Sequence, residues 1–355
     1  MKLIIDDIPD PLLKSQFDAI GVRQYCVLYQ NQVNRVHNST TTGTIDVQEI
    51  INHLEAGTAN EGGAKFADAD IVFLDFEAPF TWVMMVGSSY SNPPITYSVV
   101  KNSMVAALTA LRAKYPTKKW GYYNSPSVPS SVNETGTPIQ QINRSFTPIE
   151  LISEEQRLAT VAQMIKNFKA VATASNVLSA GVYQEDVQLG ESHDRDFLDQ
   201  EKAKMAGDVM YGLTKTKDRL GWISPVFFKE LLADPNEATA INHFKFIPFE
   251  ELAIETLLPG LSHNMNGFIM WTNAKGYINF ACSELSSDEG VRSDQIALRT
   301  AFKTNLIGES KLSEIEQNKL WLTPTLKTDL QSAYTLYILK LCKRILSARV
   351  QYEND

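Results

Sequence analysis

The strongest constraint in this sequence is a rhythm: short apolar runs recur between longer amphipathic segments over roughly the first three quarters of the chain. Seven runs, Lys2–Asp6, Gln24–Gln30, Ile71–Glu77, Lys119–Asn124, Val177–Gln184, Gly221–Phe228 and Gly267–Thr272, are mostly apolar throughout rather than strictly alternating. That is how strands covered on both faces read. Between them, Val47–Leu54, Tyr97–Lys114, Ser153–Ala174 and Phe197–Lys217 carry apolar residues at spacings of three and four, and Gln295–Asn305 is a further helical candidate. In the third of these, Leu158, Val161, Ala162, Ile165, Phe168, Val171 and Ala172 form one stripe, and Ser153 with Gln156 predicts a capping box.

Strands alternating with helices predict a parallel sheet, open or closed. Seven strands with no Gly-rich phosphate loop after the first favour closure into a distorted, TIM-like (β/α) barrel over an open dinucleotide-binding sheet. The expected organisation is a barrel over residues 1–305 and a C-terminal helical extension over 306–355. Within the extension, Thr325–Gln351 carries a stripe of Leu326, Leu330, Tyr334, Tyr337, Leu341, Ile345 and Leu346. Such a stripe either packs on the barrel or mediates a homo-oligomer or larger assembly. Ser88–Thr96 and Ser125–Thr147, rich in Ser, Thr, Asn and Pro, predict long loops after strand ends.

Charge and cysteine content narrow the function classes. The 355 residues include 33 basic and 41 acidic side chains, a net charge of −8, with no Lys/Arg run. Nucleic acid needs a clustered basic footprint, so it is not an expected partner. Cys26, Cys282 and Cys342 show neither zinc spacing nor a disulfide framework and read as free thiols. No apolar run approaches the ~18 residues of a membrane span, and the apolar start of MKLIIDDIPDPLL is too short for a signal peptide. A soluble cytoplasmic product, or one whose leader has been removed, is therefore expected, and the N-x-S/T triplets at Asn38, Asn133 and Asn143 would be glycosylation acceptors only in a secretory context. The five histidines are scattered, His193 lacks a ligand partner at helical spacing, and no nucleophile elbow, Walker loop or dinucleotide fingerprint occurs. Neither metal nor cofactor is expected.

In a β/α barrel, functional residues sit where strands end. The third run ends in IVFLDFEAPF, and the period of two puts Asp75 and Glu77 on one side of the strand with Phe76 on the other. Two carboxylates about 6–7 Å apart along a strand, if they share a partly dry pocket, raise each other's pKa, so that one keeps its proton as a general acid. On an open surface the same pair would be a solvated or helix-capping pair. Aromatic residues finish other runs: Trp120, Tyr122 and Tyr123 in KKWGYYNSP, Tyr183 in SAGVYQED, and Trp271 in GFIMWTNAKGY. They either plug the barrel or line a mouth where flat rings suit pyranose rings. Glu185 and Asp186 either add acids to that mouth or open the next helix.

Taken in order, FLDFEAPF, KKWGYYNSP, VLSAGVYQEDV and NGFIMWTNAKGYIN resemble the strand motifs of the hyaluronidase family of glycoside hydrolases, and IDVQEIINHLEAG is similar to the helix that precedes its acid-bearing strand. The resemblance spans roughly Met1 to Cys282. It implies a distorted seven-stranded barrel, Glu77 as general acid/base, and Asp75 as the group orienting the substrate's acetamido oxygen. It also implies Tyr123, Tyr183 and Trp271 as substrate-contacting residues, and retaining hydrolysis assisted by the substrate's own N-acetyl group. The sequence departs from the family where Ala78 and Pro79 follow Glu77 directly instead of a bulky aromatic and an arginine. It also lacks the family's disulfides, and no basic cleft is evident, although Lys101, Arg144 and Lys275 fall near loop segments. Two functions are thus expected. One is hydrolysis of an N-acetylhexosamine-containing polysaccharide, with Glu77 and Asp75 catalytic and Tyr123, Tyr183, Trp271, Trp120 and Tyr122 binding substrate. The other is an inert or weakly active barrel serving as a structural or carbohydrate-binding component, for example of a bacteriophage virion.

Overall fold

A computed structural model of the chain describes residues 1–30, 42–59, 61–88, 95–129, 131–132, 138–139, 147–184, 195–225, 246–272, 278, 304, 306, 308 and 324–352. Seven parallel strands form the sheet: β1 (Lys2–Ile5), β2 (Arg23–Tyr29), β3 (Ile71–Asp75), β4 (Lys119–Tyr122), β5 (Val177–Gly181), β6 (Asp218–Ile223) and β7 (Gly267–Met270). Their order is β4-β3-β2-β1-β7-β6-β5. Tyr25 pairs with Ile71, Leu74 with Tyr122, Ile5 with Met270 and Trp222 with Gly181. Each run predicted from the sequence is a strand, and all seven runs extend one or more residues past the observed strand end; the sixth strand also begins earlier than expected, at Asp218.

The two ends of this ribbon, β4 and β5, meet and nearly close the barrel. No regular ladder joins them. Instead the Asn176 amide donates to the Trp120 carbonyl at 2.7 Å, the Trp120 amide to Asn176 Oδ1 at 3.0 Å, and Ser179 Oγ to the Tyr122 carbonyl at 2.8 Å. The Gly181 amide donates to Asn124 Oδ1 at 2.9 Å. Gly121 permits the approach, because a Cβ there would lie 2.7 Å from the Val177 carbonyl oxygen. At the opposite, N-terminal end, Lys2 and Lys119 both pair with Asp218 across the barrel floor.

Helices cover the outside. The main ones are α1 (Val47–Glu55), α2 (Tyr97–Lys114), α3 (Glu154–Ala174), α4 (Arg195–Leu213) and α5 (Pro324–Tyr352). The expected capping box is present: Gln156 N donates to Ser153 Oγ, and Ser153 N to Gln156 Oε1. Asp46 and Thr96 cap α1 and α2 by a single bond each, their side chains accepting from Glu49 N and Val99 N. Shorter helical pieces at Lys14–Ala19 and Phe249–Ser262 complete the crossovers β1 to β2 and β6 to β7. The candidate helix Gln295–Asn305 and Cys282 lie almost wholly outside the described residues, as do Asn38, Asn133, Asn143, Glu185, Asp186, His193, Arg144 and Lys275. Cys26 and Cys342 are free and buried. No described helix is long and apolar enough to cross a membrane.

Side-chain parity divides the core in two. Ile4, Tyr25, Val27, Ile71, Phe73, Val177, Leu220, Trp222 and Ile269 point into the barrel, while Leu3, Ile5, Cys26, Leu28, Val72, Leu74, Leu178, Ala180 and Phe268 face the helices. Inside, Tyr25, Phe73 and Trp222 meet edge to face at 5.1–5.7 Å. Each ring so buried is worth roughly 1.5–3 kcal/mol.

Helix α5 packs on the barrel through the predicted stripe: Leu330, Tyr334, Leu341 and Ile345 are buried, and Tyr337 and Leu346 half-buried. The Phe246 and Tyr337 rings meet at 4.5 Å, tilted by 57°, and the Arg344 guanidinium sits 4.2 Å over the Phe249 ring. From Leu330 to Leu346 the apolar stripe that could have mediated assembly is therefore turned to the chain's own barrel.

Candidate functional site

At the C-terminal ends of the strands, a cavity of about 290 Å³ opens above the three-ring plug. It is lined by Asp6, Tyr25, Val27, Tyr29, Gly62, Gly63, Asp75, Glu77, Tyr123, Tyr183, Trp222 and Trp271. Strand parity explains the membership. Ile71 and Phe73 point inward on β3, so Asp75 follows them to the mouth, and Glu77, two residues on, starts the turn Glu77–Thr81 on the same side. The outward Phe76 is fully buried against Phe80 and Tyr122 and anchors that turn.

The acid pair is unusual electrostatically. Burial, and then the neighbouring Glu77 charge, push the Asp75 carboxyl up to about 7. Asp75 Oδ1 is buried without a hydrogen-bond partner, so nothing offsets its desolvation. Glu77 is exposed towards the cavity, yet the walls around it still raise its pKa by desolvation. Two further unpartnered buried atoms belong to the cavity lining, Tyr25 Oη and Trp222 Nε1. Native interiors leave few such atoms, and a group of them beside a cavity marks where a polar ligand or water completes the bonding.

Aromatic rings build the rest of the wall. Tyr123 packs on Trp222 at 4.9 Å and 72°, and Tyr183 on Trp271 at 6.2 Å. The Tyr123 and Tyr183 hydroxyls bond each other, and burial raises both pKa values. Tyr29 is raised to about 12 by burial and by Asp75 and Asp6. A short strand, Glu61–Gly63, runs antiparallel to the upper half of β2, where β1 has diverged, and puts Gly62 and Gly63 against the cavity. Asp6 and Thr272 join β1 to β7 above their last main-chain pair: Asp6 Oδ1 accepts from the Thr272 amide at 2.9 Å and from its hydroxyl.

Five of the residues picked out in the sequence, Asp75, Glu77, Tyr123, Tyr183 and Trp271, thus converge on one cavity. Trp120 and Tyr122 do not. Both are fully buried on the outer face of β4, Trp120 against Phe66 and Tyr115, and Tyr122 with its hydroxyl donating to the Met104 carbonyl of α2 at 3.0 Å. Their parity, opposite to that of Tyr123, turns them from the mouth, and the expectation that they bind substrate is corrected. Sequence reasoning missed Asp6, Tyr25, Tyr29, Trp222, Gly62 and Gly63. The first four carry the inward parity of their strands, a signal that was present in the sequence. Lys101 lies over the Tyr97 ring on α2 and does not line the cavity. Among the described residues, no group of three or more His, Cys, Asp or Glu side chains could hold a metal ion.

The molecule is therefore a nearly closed, seven-stranded parallel β/α barrel with a carboxyl pair in an aromatic mouth. No protein-family model matches the sequence, and no curated protein does. Among solved structures the fold is similar to bee venom hyaluronidase. A monoclinic crystal form aligns over 92% of this chain and 99% of that one, at 15% identity and a TM-score of 0.45. The structure of that enzyme with a hyaluronic acid tetramer aligns over 87% and 97%, at 14% identity and a TM-score of 0.49.

Proposed function

We propose that this chain is a glycoside hydrolase acting on a polysaccharide that contains N-acetylhexosamine, by a retaining, substrate-assisted route. The observation that carries the reading is a carboxyl pair of raised proton affinity, Asp75 and Glu77, in an aromatic cavity at the barrel mouth. Aromatic faces and edges suit the apolar faces of a pyranose, and a carboxyl that keeps its proton near neutrality suits a general acid.

In this reading Glu77 protonates the glycosidic oxygen while the acetamido carbonyl oxygen bonds to the anomeric carbon and the bond to the leaving sugar breaks. The Glu77 carboxylate then takes a proton from water, whose oxygen attacks the anomeric carbon and releases the acetamide. Two inversions give retention without a protein nucleophile. Asp75 supplies the order of proton transfers. In the empty cavity it holds its proton up to about pH 7. An acetamido N–H donated to Asp75 favours its ionised form, and the charge of an ionised Asp75 in turn raises the proton affinity of Glu77 as the sugar arrives.

The test is release of reducing ends from hyaluronan, chondroitin and a bacterial N-acetylated glycan by the intact protein and by Glu77→Gln. Turnover that falls at least about 100-fold in the variant supports the assignment. Absence of both binding and turnover across the panel refutes it. One observation favours a second reading, a barrel that binds carbohydrate without cleaving it, as a structural component would: Asp75, not the intended acid Glu77, carries the larger shift. Binding of equal strength to both proteins, with turnover by neither, selects that reading.

A further inference from the structure

We propose that Tyr334, on the last helix, is a positioning residue for the cavity, acting through Thr272 on Trp271 and Asp6. Helix α5 does not lie at the barrel floor. It packs beside the mouth, against Asp10 shortly after β1, Thr272 shortly after β7, and Phe246 and Phe249, which flank Ile247 where its amide bonds the Pro225 carbonyl two residues past the end of β6.

The main-chain ladder between β1 and β7 stops at Ile5 and Met270. Beyond it both strands carry a cavity residue, Asp6 and Trp271, on backbone that has lost its ladder partner. Buried peptide groups must be satisfied some other way. Here side chains continue the ladder. Tyr334, fully buried, donates its hydroxyl to the Thr272 carbonyl at 2.6 Å. Thr272, also fully buried, donates its amide and hydroxyl to Asp6 Oδ1. On the other flank the Trp271 amide donates to the Ile223 carbonyl of β6 at 2.9 Å.

The two-residue stretch Trp271–Thr272 is thus held at both ends, by β6 at the Trp271 amide and by Tyr334 at the Thr272 carbonyl. The Trp271 ring in turn packs on Tyr183. One hydroxyl, 62 positions along the chain from Thr272, sets the tilt of the ring against which a sugar would lie and ties it to Asp6 on the neighbouring strand. The last helix is then a working part of the site.

The kinetic arm of the test rests on the glycosidase reading, and the spectroscopic arm does not. Tyr334→Phe removes only the hydroxyl. Ser332→Ala, which removes the Ser332 bond to Asp10 on the same helix, is the control for loss of a helix–barrel contact elsewhere. Protein carrying 5-fluorotryptophan is examined by fluorine NMR, with the Trp271 signal assigned by Trp271→Phe. In Tyr334→Phe the Trp271 signal shifts or broadens while those of Trp120 and Trp222 hold still, and Ser332→Ala leaves all of them in place. On a cleaved N-acetylated oligosaccharide, Tyr334→Phe raises KM about three- to tenfold, the size of one lost hydrogen bond, and leaves kcat and its pH profile within about twofold. An unmoved Trp271 signal, or a fall in kcat at constant KM, overturns the proposal. A moved signal in a protein that cleaves nothing keeps the positioning role and refutes the enzyme. Should Tyr334→Phe not fold, Thr272→Val removes the hydroxyl half of the Asp6 link, keeping the amide bond, and is read by the same signals.

Discussion

Glu77 raises the proton affinity of Asp75, two residues before it on the same inward face of the barrel, adding its charge to the larger effect of burial. Replacing Glu77 with Gln removes the charge and keeps the burial. The Asp75 carboxyl should then titrate below its present value of about 7 but above the ordinary range. Carbon-detected NMR of the side-chain carboxyl checks this, and an unchanged midpoint would show that the two groups do not interact.

The same shift has a cost in stability. Asp75 binds its proton more tightly folded than unfolded, so its contribution is present in acid and is lost as pH rises from about 4 towards 7. Asp75→Asn cannot ionise and escapes that loss. Above pH 7 the variant should be more stable than the parent by roughly 2–4 kcal/mol, with little difference near pH 4. Urea unfolding at the two pH values measures it. A variant less stable at both would mean that the carboxylate has a partner in the folded state.

Tyr122 and Tyr123 are neighbours with opposite duties. Tyr122→Phe removes a buried bond to the Met104 carbonyl and should cost about 1–2 kcal/mol of stability without changing oligosaccharide affinity. Tyr123→Phe removes the cavity hydroxyl that bonds Tyr183 and should weaken binding instead. Thermal melts and calorimetric titrations of both variants, side by side, separate the roles. Equal binding loss in the two would restore Tyr122 to the site.

The Gly62–Gly63 wall is open to direct challenge. A Cβ on Gly62 would fall 2.4 Å from the Tyr29 hydroxyl, so Gly62→Ala must move that ring, and oligosaccharide affinity should drop about tenfold. Gly63 has φ +74° and its Cβ would meet the Tyr25 carbonyl oxygen at 2.6 Å, a backbone contact that cannot swing aside. Gly63→Ala should destabilise the fold by about 1–3 kcal/mol or more. Calorimetry for the first variant and urea unfolding for the second decide the matter, and a Gly63→Ala protein as stable as the parent would refute the strain argument.

Much of this architecture is legible in the sequence because burial on both faces leaves a continuous apolar run, and every such run is a strand. Asp75 and Glu77 are legible because alternation is enforced along β3. The same rule, carried through KKWGYY, would have separated Tyr123 from Trp120 and Tyr122, and applied to β1, β2 and β6 it would have found Asp6, Tyr25, Tyr29 and Trp222. Other features leave no local trace. The strand Glu61–Gly63 is too short and too glycine-rich to show a period, and it exists only because β1 diverges from β2 above Gln24. The bond from Tyr334 to Thr272 depends on where a distant helix docks, which periodicity does not encode.

The join between β4 and β5 gives the molecule a mechanical direction. Six of its seven strand boundaries are fastened by repeating backbone bonds, and the seventh by a few hooks from Asn124, Asn176 and Ser179. A shell with one slit widens at the slit when loaded from within, as a split ring does. Tyr123 and Tyr183 follow directly on the two lips of that slit and clasp each other across it. Any load that wedges the mouth open would therefore part those two hydroxyls before it strained the rest of the circumference.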